Sequence, residues 1–375
     1  MASAMRVLVT GGAGFIGSHV TDAFLARGDE VSVVDDFSRG QAGRLDSRVT
    51  AYELSVTDAH SLTQVVQASR ADLICHLAAQ IDVQASVADP AADAESNIIG
   101  TVNVLEAARA AAARVIFASS GGALYGREAT KPSAEDAETL PESPYGIAKM
   151  CAEHYVGLYN RVHGTCHSVL RLANVYGPRQ DPVGEAGVIA VFCDRVLAGQ
   201  APLVYGDGTQ TRDYVYVGDV VRAFTAAADC GKSGTWNIGT GTETTVLDLI
   251  AIIDEIAGRV MTPAFAAPRP GELQHSAVAP TLAVRELSWR PGTALSDGVR
   301  RVYRWMAAGS PVKAAWLPLA ALVERPDSSR CGIQRLYPLT VLTSEVRTML
   351  VPVPRSVPAA ASGNGIPPRA AAAGY

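Results

Sequence analysis

The stretch that decides the fold is VLVTGGAGFIGSHV, residues 7–20. Val7 to Thr10 is a short apolar run of the kind that suits a strand buried on both faces. Glycines follow at 11, 14 and 17, and Phe15, Ile16 and Val20 then have the spacing of a helix packed onto a sheet. Strand, glycine turn and helix in that order make a phosphate site. A pyrophosphate needs backbone that carries no Cβ, and the helix N-terminus supplies N–H donors and a partial positive charge. A second strand, Val31 to Val34, runs into Asp35 and Asp36, and Asp35 lies 18 residues after Gly17. A carboxylate there would accept hydrogen bonds from an adenosine ribose and repel a 2′-phosphate. The acid favours NAD, and Arg39 and Arg44 nearby argue the other way.

Outward from this turn, strand and helix patterns alternate. Leu73 to Leu77 and Val115 to Ala118 are further strands, and a helix is expected from about Ala92 to Ala112 with Ile98, Val102 and Leu105 on one face. The alternation predicts an α/β chain with a Rossmann-type doubly wound parallel sheet. After about Leu170 the pattern is less regular, with turns at Gly177-Pro178-Arg179 and Gly206-Asp207-Gly208 and helices near 187–199 and 246–257. We expect residues 1–170 to form a dinucleotide-binding core whose sheet is completed by parts of 171–245. Residues 171–309 are expected to be mainly a smaller α/β substrate-binding lobe. From 310 to 375 the chain is rich in Ala and Pro, and disorder is expected beyond about Val351.

Composition narrows the function. The 375 residues are 48% apolar and 18% charged, with a net charge of −5. That suits a large buried core and gives no pull toward nucleic acid or an anionic membrane. An anionic substrate would need a local pair of cations. Six cysteines (75, 151, 166, 193, 230, 331) form no CxxC pair, as expected of free thiols in a reducing compartment. The seven histidines have no metal-ligand spacing, so no metal is expected. No apolar run reaches the roughly 18 residues of a membrane span, and the N-terminus has no signal-peptide pattern. The expected location is the cytoplasm.

Two further stretches bear on chemistry. Phe117-Ala118-Ser119-Ser120 ends a parallel strand, where ligands sit in open α/β sheets. Ser143-Pro144-Tyr145-Gly146-Ile147-Ala148-Lys149 opens a helix, with Tyr145 and Lys149 at i and i+4 on one face and Ile147, Cys151, Tyr155 and Leu158 as a core-facing stripe. A tyrosine is a poor base at neutral pH unless a nearby cation stabilises its phenolate. Lys149 would supply that charge, and Ser120 would hold the same substrate hydroxyl, with Ser119 the weaker candidate for that role.

Nine ordered stretches then resemble the extended short-chain dehydrogenase/reductases, NAD-dependent epimerase/dehydratase family, and within them the UDP-glucose 4-epimerase group. They are TGGAGFIGSH (10–19), VVDDFSRG (33–40), HLAAQIDVQASVADP (76–90), NIIGTVNVLEAAR (97–109), SSGGALYG (119–126), SPYGIAK (143–149), RLANVYGPRQ (171–180), GDGTQTRDYVYVGD (206–219) and RPGE (269–272). The resemblance implies that Ser120 and Tyr145 contact the reacting hydroxyl and that Lys149 holds the nicotinamide ribose. Gly11, Gly14, Phe15, Ile16, Gly17, Asp35, Asp36, Leu77, Ala78 and Asn97 make up the cofactor set. It also implies that Asn174 meets the substrate's phosphate, Val188 lies in the segment around the nucleotide, Tyr205 flanks the uracil, Arg212 and Arg269 clamp the pyrophosphate and Glu272 takes the uridine ribose. Two arginines in otherwise neutral loops are also what a diphosphate requires by itself.

Ser55 stands where the family usually has Asp, near the adenine. Gly121-Gly122-Ala123 stands where related 4,6-dehydratases carry Asp-Glu and decarboxylases a Glu. The expectation is therefore C4 epimerisation of UDP-glucose or UDP-galactose through a transient 4-keto sugar. Ser276, small at the family's pocket-size position, also leaves room for a UDP-N-acetylhexosamine. A uronate, a dTDP-sugar or a non-catalytic NAD(H) sensor are the alternatives. The resemblance also implies a homodimer formed through a helix pair that includes the Tyr145 helix.

Overall fold

The computed structural model describes residues 4–183, 187–269 and 272–309, with the backbone of 333–334. β1 (Arg6–Thr10) leads through the glycine turn to α1 (Phe15–Ala26) and β2 (Glu30–Asp35). β3 (Thr50–Glu53), α2 (Ala59–Ser69) and β4 (Leu73–His76) follow. The helices α3 (Val83–Ala88) and α4 (Pro90–Ala94) run through a π turn (Glu95–Ile99) into α5 (Gly100–Ala111), and then comes β5 (Arg114–Ser120). Next are α6 (Gly121–Leu124), α7 (Pro144–His163), β6 (Ser168–Leu172) and β7 (Asn174–Tyr176). α8 (Val188–Leu197), β8 (Leu203–Tyr205), β9 (Thr211–Arg212), β10 (Tyr214–Tyr216) and α9 (Val217–Cys230) follow. The described chain continues with β11 (Gly234–Ile238), β12 (Thr244–Thr245), α10 (Val246–Ala257), β13 (Ala264–Ala266), α11 (Thr281–Glu286) and α12 (Leu295–Ala307).

Seven parallel strands form the central sheet in the order β11-β6-β5-β4-β1-β2-β3, and the backbone of Ile333–Gln334 lies parallel beside β3. The chain winds outward from β1 through β2 and β3, then returns to β4 on the other side. That reversal opens a crevice at the carboxyl ends of β1 and β4. One face of the sheet is closed by Val20 and Phe24 of α1 and Phe224 of α9, the other by Leu62 and Val66 of α2, Val104 and Leu105 of α5 and Val156 of α7. Phe24 and Phe224 are fully buried, and each such side chain contributes about 1.5–3 kcal/mol. A third core gathers Ile189 and Phe192 of α8, Leu249 and Ile253 of α10 and Val299 and Val302 of α12.

Two expected faces differ from those observed. In the helical run from Pro90 to Ala111 the buried residues are Asp93, Asn97, Gly100, Thr101, Val104, Leu105, Ala107 and Ala108; Leu105 is buried as expected, whereas Ile98 and Val102 are half-buried. Val102 and Leu105 both lie on α5, past the π turn; the inward face of the run carries mainly small and polar residues, which a count of apolar positions passes over. On α7, the stripe expected to face the core faces outward. Ile147, Tyr155 and Leu158 are 43%, 38% and 41% exposed, and Cys151 is half-buried. The inward face is Ala148, Lys149, Ala152, Val156 and Tyr159; two alanines let α7 lie close against β5. The helix is held at its ends by the Ser143 hydroxyl, which accepts the Gly146 N–H at 3.1 Å, by Pro144 in its first turn, and by Gly164 in the left-handed conformation. The expected disorder beyond Val351 falls outside the described residues.

Candidate active site

A cleft of about 490 Å³ opens at the strand-order reversal. Its floor is the glycine turn. Gly11 has φ +69°, and a Cβ there would lie 2.6 Å from the Ala78 nitrogen; a Cβ on Gly17 would strike the Gly11 carbonyl. The N-terminus of α1 has no side-chain cap and no acid in its first turn. Its N–H donors therefore remain open to the cleft beside Gly14, Phe15 and Ile16, which line it.

Asp35 ends β2 in the wall of the cleft and is 6% exposed. Its carboxylate accepts the N–H groups of Ala13 and Phe37, each at 2.9 Å. Burial pushes its pKa up, and the two backbone N–H groups hold it down. Each oxygen keeps a lone pair for a further donor. Asp36 also lines the cleft and accepts the Ser38 N–H and hydroxyl. Leu77 and Ala78 line the opposite side, tied to β1 through the Thr10 carbonyl and hydroxyl.

Asn97 is placed differently from expectation. It is 2% exposed and outside the cleft lining, and Ser96 takes the lining position. The Asn97 amide donates to the Gln80 carbonyl and to Asp93, and its oxygen accepts the Gln80 N–H. It therefore shapes the loop after β4. Ser55 lines the cleft with its hydroxyl bonded to that of Thr57 at 2.8 Å.

Ser120, Tyr145 and Lys149 come together at the other end of the same cleft. The Lys149 ammonium donates to the Ala118 carbonyl at 3.0 Å and lies 4.8 Å from the Phe117 ring and 5.8 Å from the Tyr145 ring. Burial pushes its pKa down to about 8, opposed by the charges of Asp93 and Glu153. Burial pushes the Tyr145 hydroxyl up to about 12; a hydrogen bond with Ser120 opposes this and the charge of Asp93 adds to it. The two groups thus need a further positive charge in the cleft before Tyr145 can act as a base near neutral pH. Ser119, the weaker candidate, donates instead to Glu153 at 2.5 Å.

Apart from Ser120, the expected substrate residues lie outside the cleft lining. Arg212 on β9 donates to Glu272 at 2.9 Å and to the Leu273 carbonyl, and Arg269 stacks 4.0 Å over the Tyr205 ring. Asn174 and Ser276 flank Gly122: a Cβ there would lie 3.5 Å from Asn174 Oδ1 and 3.9 Å from the Ser276 hydroxyl. Asn174 Oδ1 is buried without a hydrogen-bond partner. Val188 is half-buried at the first turn of α8.

Several lining residues were not singled out from the sequence. Gly40 is one: a Cβ there would strike Asp35 Oδ1, and its position five residues after the acid was the available signal. Gln180 lines the cleft from the RLANVYGPRQ stretch, with its Oε1 buried and unpaired.

Residues 7–239 match the model of the NAD dependent epimerase/dehydratase family. A UDP-glucose 4-epimerase of Mycolicibacterium smegmatis is 43% identical over 304 residues, covering 79% of this chain and 97% of that protein. The structure of a Thermotoga maritima UDP-glucose 4-epimerase with UDP-glucose is 43% identical, with a TM-score of 0.79 over 80% of this chain and 98% of its own. That of a Thermus thermophilus UDP-glucose 4-epimerase in complex with NAD is 39% identical, with a TM-score of 0.77 over 81% of this chain and all of its own (100%).

Proposed function

The chain belongs to the NAD-dependent epimerase/dehydratase family, and on that footing we propose that it is a UDP-sugar 4-epimerase acting on UDP-glucose and UDP-galactose. The observation that carries this is the meeting of Ser120, Tyr145 and Lys149 with the uncapped glycine turn and Asp35 in one cleft. The cradle fits NAD: Gly11 and Gly17 have no room for a Cβ, the α1 N-terminus suits a pyrophosphate, and Asp35 suits an unphosphorylated ribose. When held there by the glycine turn, Asp35 and Lys149, NAD would supply a reversible hydride acceptor for the sugar C4 and a further positive charge in the cleft.

Tyr145, as phenolate, takes the C4 hydroxyl proton as that carbon becomes a carbonyl, and it returns the proton when C4 is reduced on the opposite face. Ser120 holds the same oxygen in both directions. Lys149 stabilises the phenolate. Arg212 and Arg269 exchange Glu272 and the Tyr205 ring for the substrate's diphosphate, and the freed Glu272 takes the uridine ribose while Tyr205 flanks the base. Asn174 meets the phosphate, and Val188 closes over the nucleotide. Anchored only at the nucleotide, the 4-keto sugar is free to turn over. Ser276, small and beside Gly122, leaves room for an N-acetyl group.

The outward stripe of α7, Ile147, Tyr155, Leu158 and Val162, supports a homodimer. All five described cysteines are unpaired, which supports a cytoplasmic site of action.

Purified protein incubated with UDP-galactose, and separately with UDP-N-acetylglucosamine, without added NAD, is expected to yield the C4 epimers on chromatography. Tyr145→Phe should abolish conversion and retain bound NAD. Failure of the NAD-loaded wild type on both sugars would overturn the reading in favour of a uronate, another nucleotide sugar or a sensor role.

A further inference from the structure

Just below the reacting groups lies a buried ion pair that the proposed reaction does not use. Glu153 of α7 and Arg171 of β6 each have side chains 11% exposed. Arg171 Nε reaches Glu153 Oε1 at 3.0 Å and Oε2 at 3.1 Å, and Nη2 reaches Oε2 at 2.7 Å. The remaining arm, Nη1, donates to the Tyr125 hydroxyl at 2.8 Å and the Glu135 carbonyl at 3.0 Å. Ser119 pairs with Arg171 in the β5–β6 register, and its hydroxyl donates to Glu153 Oε1.

α7 is thereby tied to β5 at two successive residues. Lys149 donates to the Ala118 carbonyl, and Glu153, one turn further on, accepts from Ser119. The next residue of β5 is Ser120, and the turn of α7 before Lys149 carries Tyr145. How far α7 slides along β5 therefore sets where Tyr145 stands relative to Ser120. A buried ion pair is a weak source of stability, since a packed apolar pair holds a helix as well or better. What the pair adds is direction. A forked guanidinium grips a carboxylate in a single geometry and leaves it a lone pair for one more donor.

We propose that Ser119 and Glu153 are positioning residues that fix α7 along β5 and so hold Tyr145 and Ser120 in register for the reaction. The inference rests on the 4-epimerase reading of the cleft.

Ser119→Ala tests it cleanly, because it removes the hydroxyl tether and leaves Arg171 neutralised by Glu153. With UDP-galactose, kcat is expected to fall about tenfold while KM stays within about twofold and NAD remains bound, since a small misplacement of reacting groups costs rate before binding. Because Ser119 itself lines the cleft, Glu153→Gln, at a residue outside the lining, must show the same kcat-selective loss together with a lower melting temperature; if it fails to fold, Glu153→Asp, which keeps the charge and shortens the reach to Ser119, takes its place. Wild-type kcat and KM in Ser119→Ala, from an active wild type, overturn the positioning role by itself. So does a variant that loses cofactor and raises KM, which is a general structural defect. A wild type that turns over no UDP-hexose removes the reaction and this inference with it.

Discussion

Lys149 is where folding and chemistry pull against each other. It is 4% exposed, and burial holds its pKa at about 8 against a usual 10.5. Below about pH 8 both folded and unfolded chains keep the proton, and the folded state carries the full cost of a buried cation. Between the two values the unfolded chain binds the proton and the folded chain does not, so stability rises with pH across that window. Lys149→Met should therefore unfold at higher denaturant than the wild type near pH 7, by roughly 1–2 kcal/mol once the lost bond to Ala118 is allowed for. The gap should narrow above about pH 8. The same variant should lose nearly all turnover, because the phenolate of Tyr145 has lost its fixed cation. Equal denaturation midpoints at both pH values would show that the ammonium is not destabilised by burial.

α7 shows how far a periodic pattern reads. The sequence announced an apolar stripe at Ile147, Cys151, Tyr155 and Leu158, and the stripe exists; its partner was misread. Periodicity reports that a helix has two faces and is silent on which face meets the sheet. Here close approach to β5 selects the small residues Ala148 and Ala152 for the inside, and the larger apolar residues are left outside. If that stripe joins two copies, Leu158→Glu should shift the protein toward monomer in light scattering and leave the cleft residues untouched. A wild type that is already monomeric at micromolar concentration would rule the dimer out.

At the scale of the molecule, the cleft sits where two halves of the sheet diverge, so a ligand there binds only the folded chain. At a free concentration a hundred times its Kd, NAD should stabilise the fold by about 2.7 kcal/mol. For a chain of this size that is a rise in melting temperature of roughly 3–4 °C. A thermal melt of stripped protein with NAD and with NADP separates the cofactors. A shift with NADP alone would overturn the reading of Asp35. The mildly negative net charge has no part in this, since the uncapped end of α1 faces the cleft.

The α/β class, the glycine turn with its acid, and the Ser, Tyr and Lys set could be read from residue order alone, because each is written in short-range chemistry: absent Cβ atoms, a helix start, an i,i+4 spacing. It took the packed fold to show that both serines line the cleft and that the Ser119 hydroxyl is engaged by Glu153. The fold also decided that Asn97 braces the loop after β4, that Arg212 meets a glutamate 60 residues away, and that the α7 stripe looks outward. These depend on the register between strands and on which faces pack together, and no local spacing carries that information.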